Sequence, residues 1–82
     1  MQNNMDYMPK SEHTLPDLPE KFETPELKGQ YVNAVIDTCN KATMAGDKAW
    51  NDFSFKLAYV EYLLACNGFM SLMKVTADDA KF

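Results

Sequence analysis

Residues 57–73 read LAYVEYLLACNGFMSLM: thirteen apolar side chains in seventeen positions, with a single charge, Glu61. A buried strand runs for roughly four to eight residues, so this stretch is too long to be one. With Lys56, Glu61 and Asn67 in or beside it, it is also too short and too polar for a bilayer span. It reads as a helix with more apolar surface than a chain of 82 residues can cover. A domain of that size buries only about 60% of the surface its unfolded chain exposes. The missing cover is expected to come from sister copies of the chain, the alternative being a monomer whose N-terminal arm lies over the stripe.

Small domains also gain stability from disulfides or metal ions. Neither is expected here. Cys39 and Cys66 each sit in a helical apolar stretch, and the opening MQNNMDYMPK lacks a basic segment followed by an apolar one. That pattern fits a reducing cytoplasm. His13 is the only histidine, and the two cysteines lack ligand spacing, so no metal or other cofactor is expected. The net charge is −4, carried against eight lysines and no arginine. Arginine is the preferred residue for bidentate phosphate and base-edge contacts. An acidic chain without it is a poor candidate for binding DNA or RNA polymers. A small phosphorylated ligand needs only a few lysines or the free amides of a helix start.

All four prolines lie between Pro9 and Pro25. Proline pushes the residue before it out of the helical region, so residues 1–23 are expected to form an irregular, extended arm. Residues 24–82 form the helical domain. Thr24 can cap a helix, Pro25 suits its first position and Glu26 favours its positive end. This first helix is expected over about residues 25–45, with Leu27, Tyr31, Val35, Cys39 and Ala42 on one face. Gly46 is the expected stop, and Asp47 the cap of a second helix over about residues 48–75. Trp50, Phe53, Leu57, Val60 and Leu64 make its main stripe. The expected fold is all-α: an extended N-terminal arm plus a two-helix antiparallel hairpin, assembled as a homo-oligomer. Leu57, Val60, Leu64, Gly68, Phe69, Met70, Leu72 and Met73 are its expected interface.

No catalytic apparatus is visible. Ser11, Ser54 and Ser71 lie in no nucleophile elbow, and no phosphate loop or dinucleotide fingerprint is present. Glu61 is a lone carboxylate, expected at the solvated edge of its face or beside a lysine. Ligand binding is the better expectation. Lys28, Gly29 and Tyr31 cluster at the start of the first helix, where backbone amides are unpaired. Lys28 can neutralise a phosphate, and Tyr31 or Tyr7 can stack on a base. The competing reading makes Lys28 a surface residue and Tyr31 core. Lys56 and Lys74 share a direction on the second helix and are candidate phosphate contacts.

Asn67-Gly68-Phe69-Met70-Ser71-Leu72, with a phenylalanine at Phe82, resembles the last helix of the phage anti-CBASS protein 2 family. The resemblance covers about the last sixteen residues. It implies a helical hexamer that sequesters cyclic oligonucleotide immune signals without cutting them. Ligand contacts in that family include an N-terminal tyrosine and a lysine near the first long helix, for which Tyr7 and Lys28 are the nearest positions here. The family also uses arginine, which this chain lacks, so the expectation is confined to cyclic dinucleotides. The function expected is therefore a non-enzymatic cytoplasmic sponge with a counter-defence role, its ligand held between subunits. The alternatives are an acidic helical inhibitor or adaptor of another protein, and a structural helical subunit.

Overall fold

A computed structural model describes residues 8–79, which form two α-helices preceded by an arm without regular structure. Helix α1 spans Pro25–Asn51 and helix α2 spans Phe55–Asp79. They pack as an antiparallel hairpin, and no strand occurs among the described residues. Among those residues no helix is long and apolar enough to cross a membrane.

The start of α1 follows from its sequence. Thr24 has extended backbone angles, and its side-chain hydroxyl accepts from the Leu27 N–H at 3.1 Å. Pro25 follows in the first turn, where a missing N–H costs nothing. The end of α1 differs from the expectation. The helix runs through Gly46 and Asp47 to Asn51, so the turn lies at residues 52–54. There the Ser54 N–H donates to the Ala49 carbonyl at 2.8 Å, and the Phe53 N–H to the Trp50 carbonyl at 3.1 Å. This is a Schellman closure, with Phe53 in the left-handed position at φ 64° that glycine usually fills.

Gly46 has another role. It is buried in α1, and a methyl group on it would lie 2.6 Å from the Tyr62 ring. Asp47 caps nothing; its carboxylate accepts a 2.5 Å hydrogen bond from the Tyr62 hydroxyl. Trp50 and Phe53, expected on the stripe of the second helix, lie instead on the last turn of α1 and in the turn. Both stack edge-on against Phe55, at centroid distances of 4.9 and 6.1 Å.

The seam between the helices is made mostly of small residues. Along α1 the buried positions are Tyr31, Val35, Cys39, Ala42, Gly46 and Ala49. Along α2 they are Ala58, Glu61, Ala65, Gly68 and Val75. Small side chains let helix backbones approach closely, which directs the larger apolar side chains of α2 elsewhere. Leu57, Val60, Leu64 and Leu72 are half-buried at the flanks of the seam. Leu27, expected on the inner face of the first helix, is exposed.

The arm lies along its own hairpin. Ser11 reaches Glu61 near the turn, Leu15 packs at Gly68, and Phe22 meets Tyr31 near the start of α1. The arm therefore runs parallel to α2 and antiparallel to α1. Leu15 and Phe22 join the core cluster of Tyr31, Val35, Cys39 and Val75. The described part of the arm covers the groove but not the outside of α2.

Candidate functional site

Among the described residues the surface offers, for binding, an uncovered face of α2 and two cavities, one at each end of the described part of the arm.

Phe55, Tyr59, Leu63, Cys66, Met70 and Met73 recur at helical spacing on the side of α2 away from the seam, with Phe69 beside them. All are exposed, Met73 to 62%. From Phe55 to Met73 this stripe is about 27 Å long. Of the residues expected to meet a second copy, Phe69, Met70 and Met73 lie on it. Leu57, Val60, Leu64 and Leu72 are partly covered within the chain. Gly68 is fully inside: a methyl group there would overlap the Cys39 thiol and come within 3.1 Å of Leu15. Its close approach is to its own chain. Phe55, Tyr59 and Leu63 were not anticipated on the outer face. The seam's choice of small residues, which puts them there, shows only once the turn is placed at residues 52–54.

The first cavity, of about 270 Å³, lies where the arm enters α1. Lys21, Phe22, Leu27 and Tyr31 are among its walls. Tyr31 is only 7% exposed, and Phe22 sits against it at a centroid distance of 5.5 Å. The ring is therefore packed in the core, as the competing reading had it. Its hydroxyl is buried without a hydrogen-bond partner. Lys28 is half-buried on the first turn and Gly29 is exposed. Tyr7 lies outside the described residues. Lys56 and Lys74 are exposed on one side of α2, but five full turns separate them, about 27 Å. They cannot both touch one small ligand on a single subunit.

The second cavity, of about 290 Å³, lies at the closed end of the hairpin, roofed by arm residues Lys10, Glu12 and His13. Its inner wall includes Glu61, which is 4% exposed and the one charged side chain buried among the described residues. Glu61 is thus not at a solvated edge, and the structure pairs it with no lysine among the described residues; Ser11 Oγ donates to its Oε1 at 2.6 Å. The same Ser11 oxygen accepts the His13 N–H at 2.9 Å, which fixes the bend of the arm.

Two groups hold their protons more tightly than usual. The hydrogen bond to Asp47, then burial and the carboxylate charge, raises the Tyr62 hydroxyl. Burial, then the neighbouring Cys66, raises the Cys39 thiol, which donates to the Ala65 carbonyl at 3.5 Å. Both cysteines are free thiols, Cys39 buried and Cys66 exposed. Comparison of the chain with family models, curated proteins and solved structures gives no match.

Proposed function

We propose that this chain is a non-enzymatic binding protein that acts as a homo-oligomer of helical hairpins and captures cyclic dinucleotide signals where subunits meet. In a bacterial host cytoplasm this would serve a phage as counter-defence. The supporting observation is the uncovered apolar face of α2 from Phe55 to Met73. A monomeric domain rarely leaves so continuous a stripe in water.

The energetics favour an assembly that a ligand can tighten. Half-exposed large apolar side chains contribute on the order of 1 kcal/mol each when covered. Six on each of two copies give a gross gain of roughly 10 kcal/mol. Association costs roughly 4–15 kcal/mol. The balance is close to zero, so an assembly of this kind responds to anything that binds only the assembled form. Lys56 and Lys74 flank the stripe and would stand at the rim of a junction, where phosphates of a ligand shared between copies can be reached. Lys28 and Tyr7 would supply the contacts implied by the family resemblance.

The test is light scattering on a sizing column, combined with calorimetry against a panel of cyclic dinucleotides. The expected result is an oligomer that binds one or more of them tightly and returns them chemically unchanged. A monomer at all concentrations, with no response to any of the panel, would refute the reading. The second reading is an inhibitor or adaptor in which this acidic chain offers the same stripe to a different protein. Recovery of a one-to-one complex with a basic protein, and no bound nucleotide, would favour that alternative.

A further inference from the structure

We propose that the arm-roofed cavity at the closed end of the hairpin is a binding site for a small organic cation: a primary ammonium or guanidinium group on a short apolar body, held by the Glu61 carboxylate. This rests on different residues from the α2 stripe and does not depend on the reading of that stripe.

The argument begins with the position of Glu61. A carboxylate enclosed by protein is costly unless its acceptor positions and its charge are both satisfied. A carboxylate offers about four acceptor positions, and Ser11 fills one of them with a neutral hydroxyl donor. A hydroxyl brings no compensating charge. Glu61 also lines a cavity rather than packed protein, so further donors can be delivered from outside.

The walls specify what can enter. Ala45, Ala49 and Leu57 give the cavity an apolar side that suits methylene groups. The charged lining consists of Lys10 and Lys48 against Glu12, Asp52 and Glu61. Counting His13 as neutral, this leaves a surplus of negative charge, which disfavours an anion. Lys48 is already held by Asp52 at 2.9 Å, and Lys10 stands exposed at the rim. A volume of about 290 Å³ is at the lower end of ligand cavities. It suits a chain of a few carbons or a single ring.

The test uses the full chain, with n-butylammonium and agmatine as probes, and n-butanol and butyrate as neutral and anionic controls of similar shape. Thermal shift and calorimetry are run at constant ionic strength. Both amines are expected to bind saturably and raise the melting temperature, while the alcohol and the acid do not. Glu61→Gln keeps the shape and removes the charge, and should weaken amine binding at least about tenfold. Should that variant fail to fold, Ala45→Met fills the cavity from α1 with Glu61 intact, and should abolish binding in the same way. Absence of saturable binding of both amines up to about 10 mM would overturn the proposal. So would equal binding of amine and alcohol, or amine binding unchanged in both variants.

Discussion

At Gly68 and Gly46 the same substitution meets two different neighbours. A methyl group on Gly68 would strike the sulfur of Cys39, which is fully buried and has no room to retreat. Gly68→Ala should therefore destabilise by about 2 kcal/mol in urea unfolding. At Gly46 the neighbour is the half-buried Tyr62 ring, which can swing outward. Alanine also gains about 1 kcal/mol of helix propensity there. Gly46→Ala should then stay within about 1 kcal/mol of the parent, and equal losses at the two sites would contradict this account. Phe53 makes the opposite case. A bulky side chain at φ 64° carries strain on the order of 1 kcal/mol, and the residue is 79% exposed. Phe53→Gly is expected to raise the melting temperature, because glycine takes that conformation freely. Alkaline pH should do the reverse. Tyr62 and Cys39 both bind their protons more tightly folded than unfolded. Their contribution is intact below the ordinary thiol and phenol ranges and is lost as pH rises through the folded values. Urea midpoints should fall above about pH 9. Tyr62→Phe should remove the later part of that fall.

Among the elements, the arm has the plainest energetic role. Leu15 is half-buried and touches the core from outside the hairpin. Leu15→Ala should cost roughly 2 kcal/mol, at the low end for a truncated core leucine, and should raise dye binding to the exposed groove. How much of this could be read in advance varies along the chain. The start of α1 was legible because capping is local: Thr24, Pro25 and Glu26 carry it within one turn. The proline-rich arm was legible as non-helical for the same reason. The end of α1 was not, because Gly46 looks like a stop when only its neighbours in sequence are weighed. Its reason is Tyr62, sixteen positions away, whose ring needs the space. On α1 the expected inner face holds at Tyr31, Val35, Cys39 and Ala42, and the difference lies on the second helix. The expected main stripe there is Trp50, Phe53, Leu57, Val60 and Leu64, whereas Ala58, Ala65 and Gly68 hold the contact. Glu61 stood out as a lone charge, yet its burial depends on Ser11, fifty residues distant. No local pattern reports such a pairing.

For the whole molecule, the decisive property is that one side of α2 has no cover among the described residues. Met73→Lys puts a charge on that side without touching the seam. It should dissociate any assembly while leaving the dilute monomer's stability within about 0.5 kcal/mol. A collapse of the monomer instead would mean that Met73 works inside the fold, contrary to its exposure. The turn adds a last consequence. Its closing bonds run from main-chain amides to main-chain carbonyls, Ser54 to Ala49 and Phe53 to Trp50. The aromatic knuckle mounted there thus supplies none of the hydrogen bonds that fold the chain back on itself. Descendants of this sequence can retool that tip for new recognition, with the scaffold beneath it kept, as long as residue 53 accepts a positive φ.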